Sequence, residues 1–227
     1  MKKIITLILG ITLAYSCSKS SDGNSNSTDL YIPGPDVIDI EGNLYQTVTN
    51  CNQTWTRTNL NVSKYRNGDV IPQVTDPTVW ANLTTGAYCY YNNDPANGVI
   101  YGKLYNWYAI NDSRGLAPIG YHIPSEVEWN TLKTCVGGAK AGFNMKETGT
   151  AHWLTNDPNV TNSSGFTGLP GGQFDVFFDE IGNKGYWWSS SAFDTSRSWS
   201  FSLSYSSSLG QSAYRKNFGF SVRCVND

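Results

Sequence analysis

The chain has little charge, few histidines and no long apolar run beyond its first residues, and each scarcity excludes a class of function. Only 15% of the 227 residues are charged, and the formal net charge is −2. No basic surplus is present to attract nucleic acid. Only His122 and His152 could supply imidazole ligands, and the cysteine spacings match no zinc pattern. After the N-terminal run, no segment approaches the roughly 20 apolar residues that a membrane-spanning helix needs.

The N-terminus has the pattern of a bacterial export signal. Lys2 and Lys3 precede an apolar run, residues 4–14, which is too short to span a bilayer as a helix. Cys17 follows a small residue and precedes a tract rich in Ser, Asn and Gly, which resembles a lipobox with its tether. We therefore predict a signal peptide over residues 1–16 and a lipid on Cys17 as the membrane anchor. An ordinary secretory signal that is cleaved nearby is the alternative.

The rest of the chain divides into a tether and one domain. Residues 17–30 are predicted to be a disordered tether, because a tract of such low hydrophobicity cannot bury enough apolar surface to fold. Residues 31–227 are long enough for one domain with one core. Loss of Lys2 and Lys3 from the 16 basic residues leaves 14 against 18 acidic residues, a net charge of −4. We expect an exported lipoprotein at the outer membrane or the cell surface.

Four cysteines remain in the predicted domain, namely Cys51, Cys89, Cys135 and Cys224. An even number of cysteines in an exported chain favours structural disulfides. We predict two bridges and leave all three connectivities open. A reactive cysteine pair is the less favoured interpretation, because Cys135 falls on a predicted helix and Cys224 in a predicted core strand.

Short apolar segments separated by Gly, Asn and Ser predict an α+β fold with small sheets. Residues 37–48 predict a β-hairpin, and a second turn is expected at residues 50–53. The aromatic spacing of residues 101–110 predicts one helix. A second helix is predicted over residues 125–136, where Ser125 and Glu128 have the spacing of a capping box, with Trp129 and Leu132 on its buried side. Three further strands are predicted over residues 187–191, 198–205 and 218–225.

Serine alternates with large apolar residues in the middle one of these strands. The alternation predicts that Trp199, Phe201, Leu203 and Tyr205 form a core face, while the serines face solvent. Aromatic side chains beside small polar ones form an adaptable contact surface. The predicted ligand-binding residues within 191–217 are Phe193, Asp194, Arg197, Ser200, Ser202, Ser204, Ser206, Tyr214 and Arg215.

Several motifs of the chain together resemble the Fibrobacter succinogenes major paralogous domain. The resemblance covers nearly all of residues 37–227, and members of that family are mostly secreted or lipid-anchored proteins without an assigned activity. The motifs are Asp39-Ile40-Glu41-Gly42-Asn43-Leu44-Tyr45, Tyr101-Gly102-Lys103-Leu104-Tyr105-Asn106-Trp107, Gly120-Tyr121-His122-Ile123-Pro124-Ser125, Leu169-Pro170-Gly171-Gly172, Trp187-Trp188-Ser189-Ser190 and Gly219-Phe220-Ser221-Val222-Arg223-Cys224-Val225.

This resemblance implies a C-type-lectin-like fold, related to the formylglycine-generating-enzyme branch. In such a fold the first and last strands pair, two helices flank the sheets, and a long irregular loop region, here residues 139–186, presents the ligand surface. The motifs of calcium-dependent sugar-binding lectins are absent, and Asp157-Pro158-Asn159 is only a weak echo of them. Related folds carry hypervariable ligand surfaces near their C-terminal strands, and the Ser- and Tyr-rich segment here looks similar.

We therefore expect a domain without enzymatic activity that recognises a protein or glycan ligand at the cell surface. An enzyme of the formylglycine-generating type and a structural scaffold of the envelope are the alternatives. No cofactor is expected. Calcium is the one ion for which ligands can be named, because oxygen ligands are available in two polar segments. They are Asn92-Asn93-Asp94 and the group Asp175, Asp179 and Glu180.

Overall fold

The structure is a computed structural model that describes residues 31–227. The predicted signal peptide, Cys17 and the rest of the tether lie outside the described residues. The described part is a mixed α+β domain with several small sheets and a few short helices. Between residues 31 and 227, no helix is both long enough and apolar enough to cross a membrane.

The strands are arranged in two five-stranded sheets and one two-stranded sheet. The strands are β1 (Ile32–Ile38), β2 (Leu44–Asn50), β3 (Gln53–Thr56), β4 (Tyr88–Cys89), β5 (Leu104–Tyr105), β6 (Tyr121–His122), β7 (Gly171–Phe174), β8 (Phe178–Ile181), β9 (Gly185–Ala192), β10 (Arg197–Leu203), β11 (Gly210–Arg215) and β12 (Val225–Asn226). The helices are α1 (Pro77–Ala81), α2 (Pro95–Tyr101), α3 (Trp107–Ile110), α4 (Glu126–Cys135) and α5 (Ala141–Met145).

The first sheet has the strand order β1-β2-β3-β12-β6. β1 and β2 form the predicted hairpin, and Asp39 fixes its turn by accepting hydrogen bonds from the backbone N–H groups of Glu41 and Asn43. The predicted second turn joins β2 to β3, with Cys51 and Asn52 at positive φ. Both turns were therefore predicted correctly from residues that favour turns.

The prediction that the first and last strands pair is wrong. Val225 of β12 lies opposite Trp55 of β3 and opposite His122 of β6. The three N-terminal strands form a meander in which β2 separates β1 from β3. The last strand therefore pairs with the edge that β3 leaves free.

The second sheet has the order β11-β10-β9-β7-β8. β9 contains the predicted strand 187–191, whereas β10 ends two residues earlier than predicted, at Leu203. The pairing of β10 with β9 shifts register between Ser198 and Ser200. The predicted strand 218–225 is wrong in most of its length, because this segment passes between elements and makes only isolated bridges with Phe174, Tyr105 and Trp187 before β12.

Helix α4 confirms the predicted capping box. Ser125 Oγ accepts a hydrogen bond from the N–H of Glu128 at 3.3 Å, and the Glu128 carboxylate accepts one from the N–H of Ser125 at 2.7 Å. Trp129 and Leu132 are buried, as the spacing predicted.

The single helix predicted over residues 101–110 is wrong, because the backbone turns twice within it. α2 ends at Tyr101, and Gly102 follows with φ of 73°, a positive value that glycine adopts without strain. β5 follows, and α3 begins after Asn106, whose side-chain oxygen accepts a hydrogen bond from the N–H of Ala109 at 3.0 Å. An aromatic spacing that suits a helix is here divided between three short elements.

Residues 139–186 do not form one irregular loop, which corrects the expectation from the resemblance. The segment contains α5 and the β7–β8 hairpin. The stretch between them, residues 146–170, has no named helix or strand and is held by local turns and by one isolated bridge, between Lys146 and Gly168.

The core consists of three clusters rich in aromatic side chains. Trp187 and Trp188 are neighbours on β9, yet both are fully buried and belong to different clusters. Neighbouring residues of a strand point to opposite faces, so the second sheet is covered on both faces. Arg223 is also fully buried and lies 4.3 Å from the ring centroid of Phe166.

One disulfide is present among the described residues, and it joins Cys51 to Cys135 across a sequence separation of 84. It links the β2–β3 turn to the end of α4. The predicted second bridge is wrong, because Cys89 and Cys224 are free and buried. These two cysteines lie in different core clusters, where each packs as a small apolar side chain.

His122 connects the start of α4 to the last residue of the chain. Its Nδ1 lies 2.7 Å from Asp227 Oδ1, and its Nε2 lies 2.8 Å from Glu128 Oε1. Burial alone lowers the pKa of His122, but the hydrogen bonds and charges of the two carboxylates outweigh it and raise the pKa above its ordinary value. The imidazolium form is therefore favoured by folding.

We expect the domain to lose thermal stability as pH rises from about 6 to about 8 because of this contact. A histidine pKa that is raised by folding stabilises fully below the unfolded value, 6.5, and the stabilisation is lost as pH rises through the folded value. The melting temperature of the wild type should fall over this range relative to that of His122→Gln, as measured by circular dichroism. Parallel curves for the two proteins would contradict the prediction.

Candidate functional site

The predicted ligand-binding residues at the β9–β10 turn form a compact exposed group. Asp194 pairs with Arg197 at 2.7 Å, and the Arg197 guanidinium lies 4.6 Å from the ring centroid of Phe193. Arg215 lies opposite Arg197 on β11 and pairs with Asp175 at 2.8 Å. The Asp194 carboxylate accepts hydrogen bonds at both oxygens, from Ser196 and Arg197, so most of its hydrogen-bonding capacity is already used.

The other predicted ligand-binding residues are separated from this turn or are not exposed. Ser200 is only 1% exposed, and Tyr214 is half-buried with its ring 5.1 Å from that of Phe220. The prediction of exposure is wrong for Ser200, because the second sheet is covered on both faces. Ser202 is half-buried on β10, and beyond the end of that strand Ser204 and Ser206 are also half-buried, roughly 20 Å from the turn by strand rise.

The predicted core face of this strand is correct in its middle and wrong at its end. Phe201 and Leu203 are fully buried, and Trp199 is half-buried with its ring 4.7 Å from that of Phe193. Tyr205 is 85% exposed, because it lies beyond the last residue of β10, where the alternation of the strand no longer applies. Among residues 31–227, it is the most exposed aromatic side chain.

Tyr205 borders a cleft of about 270 Å³. The rest of the lining comes from one continuous stretch, residues 146–160, which lies within the region that the resemblance assigned to the ligand surface. The cleft is lined by Lys146, Glu147, Gly149, Trp153, Thr155, Asn156, Asp157, Pro158, Val160 and Tyr205.

Gly168 holds two sides of this cleft together. Its carbonyl oxygen accepts hydrogen bonds from the N–H of Glu147 and from Trp153 Nε1, both at 3.1 Å. Its own N–H donates to the carbonyl of Met145 at 2.7 Å. The indole of Trp153 is 4% exposed, so its position is fixed by packing as well as by the hydrogen bond. The cleft therefore has a preformed wall, as small-molecule sites usually do.

Lys146 is a buried cation in this wall and is only 4% exposed. Its Nζ donates to the carbonyl of Ser204 at 2.8 Å and lies 5.4 Å and 5.6 Å from the ring centroids of Phe143 and Trp153. Burial lowers the pKa of Lys146, and the charge of Asp157 partly offsets this effect.

Two carboxylates accompany this lysine. Both oxygens of Glu147 lie within hydrogen-bond distance of His152 Nδ1, at 3.0 Å and 2.8 Å, and the His152 ring packs against Tyr101 at 5.7 Å. Asp157 Oδ1 accepts hydrogen bonds from the N–H and the side-chain amide of Asn159, both at 2.9 Å, which lower its pKa. The cleft thus combines aromatic surface with donors and acceptors of both charges.

The described residues offer little for thiol or metal chemistry. Burial raises the pKa of both Cys89 and Cys224, so neither is a ready thiolate nucleophile. No group of three or more His, Cys, Asp or Glu side chains within residues 31–227 could hold a metal ion. Asp175, one of the calcium candidates, pairs with Arg215, and Asp94 caps α2 through a hydrogen bond from the N–H of Ala96.

A comparison with protein-family models decides the family. The model of the Fibrobacter succinogenes major domain matches residues 48–226. The chain belongs to this family. The match begins inside β2 and runs through β12. It includes the cleft, the disulfide and both five-stranded sheets, except β1 and the first four residues of β2. A search of curated proteins found no match. A search of solved structures also found none.

The residues of the cleft were not singled out by sequence reasoning, although their region was. Lys146 and Glu147 are not part of any recognisable motif. Nothing in the sequence distinguishes Trp153 from the tryptophans of the core. The one available signal was the polar segment Asn156-Asp157-Pro158-Asn159, which the resemblance placed in the expected loop region. Tyr205 was assigned to the core by alternation.

Proposed function

We propose that this member of the Fibrobacter succinogenes major domain family recognises a glycan without enzymatic activity, at the cleft beside Tyr205. The observation that carries the proposal is the exposure of the Tyr205 ring, 85%, next to a preformed cleft with donors and acceptors. A sugar ring presents an apolar face that packs on an aromatic ring and hydroxyl groups at its edge that need hydrogen-bond partners. Tyr205 supplies the first, and Lys146, Asn156 and Asp157 supply the second.

Tyr205→Ala should therefore weaken glycan binding by at least about tenfold, or ~1.4 kcal/mol, without lowering stability. A side chain that is 85% exposed contributes little to the core, so its removal leaves the fold intact. The measurement is a glycan array followed by titration calorimetry with the best ligand. Phe193→Ala is the matched control, because Phe193 is also exposed, 44%, but lies at the β9–β10 turn. Loss of binding in Phe193→Ala alone would transfer the site to the predicted surface at that turn.

The enzyme alternative requires a reactive pair of cysteines in a cleft. Cys89 and Cys224 are buried in separate clusters, and neither lines the cleft of Tyr205. Labelling of the native protein with a thiol reagent tests this alternative, since two fast-reacting thiols in the domain would favour the enzyme. A scaffold would bind no glycan on the array, and a protein ligand would instead be recovered in a pull-down with the whole chain.

We further propose that the domain has the C-type-lectin-like fold and is carried by a lipid on Cys17 at the outer membrane or the cell surface. The basic, apolar and polar order of residues 1–30 supports the anchor. Mass spectrometry of the N-terminal peptide tests it, because a lipid-modified Cys17 must be its first residue. Protease digestion of whole cells would distinguish a surface location from a periplasmic one.

A further inference from the structure

Two buried lysines of the domain differ in how their charge is satisfied. Lys103 and Lys146 are each 4% exposed, and each has its ammonium group near two aromatic rings. Lys103 donates to both the carbonyl and the side-chain oxygen of Asn61. Lys146 donates only to the carbonyl of Ser204. Because an ammonium group has three N–H donors, two donors of Lys146 have no hydrogen-bond partner among the described residues.

The acidic residues of the cleft do not pair with Lys146. Within residues 31–227, no carboxylate oxygen lies within 4.0 Å of its Nζ. Glu147 directs both oxygens to His152, and Asp157 Oδ1 is bonded to Asn159. A buried ammonium group that uses only one of its three donors is incompletely satisfied, and an incoming anion would accept hydrogen bonds from the other two. Lys146 lines the cleft, whereas Lys103 does not.

From this contrast we infer that the glycan bound in the cleft is acidic. A carboxylate or sulfate group of the sugar accepts hydrogen bonds from the two N–H groups of the Lys146 ammonium that have no partner among the described residues. The inference rests on the proposed glycan-binding function and names its ligand class. Charge-assisted hydrogen bonds are stronger than neutral ones, so the anionic group contributes to both affinity and selection. The net charge of the chain is −2, so a polyanion is not attracted by the protein as a whole.

The test compares charged and neutral polymers that share one sugar backbone, and it uses the full chain. Polygalacturonate is titrated against its fully methyl-esterified form, and dextran sulfate against dextran. We expect a charged polymer to bind at least about tenfold more tightly than its neutral counterpart. A preference in the first pair identifies a carboxylate, and one in the second pair identifies a sulfate.

Lys146→Met should abolish the preference, whereas Lys103→Met, which removes the other buried ammonium group, should leave it unchanged. Circular dichroism checks that both variants are folded. The comparison of charged with neutral polymers needs no variant, so it decides the inference even if Lys146→Met does not fold. Equal binding of charged and neutral polymers that Tyr205→Ala still weakens would overturn the acidic ligand and leave the proposed glycan function intact. Absence of binding to all four polymers would overturn the acidic ligand, and absence of binding on the glycan array as well would also overturn the proposed function.

Discussion

Arg223→Ala is expected to lower the free energy of unfolding by about 4 kcal/mol, a large fraction of the ~5–15 kcal/mol of an ordinary domain. The guanidinium is fully buried and donates to Asn59 Oδ1 at 2.7 Å and to the carbonyl oxygens of Thr56 at 2.7 Å, Phe166 at 2.9 Å and Thr167 at 3.1 Å. Burial lowers the pKa of Arg223 to about 9, so it remains charged at neutral pH.

The loss is large because the acceptors cannot find other partners in the core. Arg223 joins the end of β3 to the segment around Phe166, and truncation would leave three carbonyl oxygens unpaired in an apolar cavity. Urea unfolding followed by tryptophan fluorescence measures the effect. Arg197→Ala is the matched control, since the side chains of Arg197 and its ion-pair partner Asp194 are 46% and 35% exposed, and an ion pair at the surface contributes about 0–1 kcal/mol. If Arg223→Met were as stable as the wild type, the hydrogen bonds from the guanidinium to the carbonyl oxygens would not contribute to stability, and the prediction would be wrong.

Reduction of the Cys51–Cys135 disulfide should destabilise the domain by about 2–5 kcal/mol. The bridge joins two residues that are 84 positions apart in the sequence. Closing so long a loop strongly reduces the conformational entropy of the unfolded chain. It also joins the β2–β3 turn directly to the last turn of α4. The measurement is the urea midpoint with and without dithiothreitol.

The double variant Cys51→Ser, Cys135→Ser is the control for this experiment. It should unfold at the midpoint of the reduced wild type, and reductant should not change it further, because Cys89 and Cys224 are already free. A wild-type midpoint that is insensitive to complete reduction would show that the bridge does not restrict the unfolded state as expected.

Local features of the fold could be read from the sequence because their causes are local. Asp39 and Gly42 specify the first turn, and Ser125 with Glu128 specifies the start of α4. In these places the residues that cause the structure are within four positions of one another. The family could be named for a related reason, since its motifs are short stretches of consecutive residues. The lipid on Cys17 remains a prediction from residues 1–30.

Features that depend on distant contacts could not be read in this way. The alternation of serine with apolar residues correctly predicts that Phe201 and Leu203 lie in the core. The same alternation wrongly predicts that Ser200 is exposed and that Tyr205 is buried. No pattern within the strand indicates that a second layer covers its serine face, or that the strand ends at Leu203. Likewise, the number of cysteines predicts two disulfides. The second is ruled out only by the three-dimensional structure, in which Cys89 and Cys224 lie in different core clusters.

The sequence by itself determined the family, the α+β class, the two N-terminal turns, the capped helix and the four candidate cysteines. The tertiary structure alone decided which cysteines join, which serines are buried, and that Lys146 and Tyr205, 59 positions apart in the sequence, meet at one cleft. The physical reason is the range of the forces involved. Hydrogen bonds of turns and caps act between near neighbours, whereas the burial of a residue depends on every segment that packs against it. A binding cleft is likewise lined by side chains from distant parts of the sequence that pack around a space.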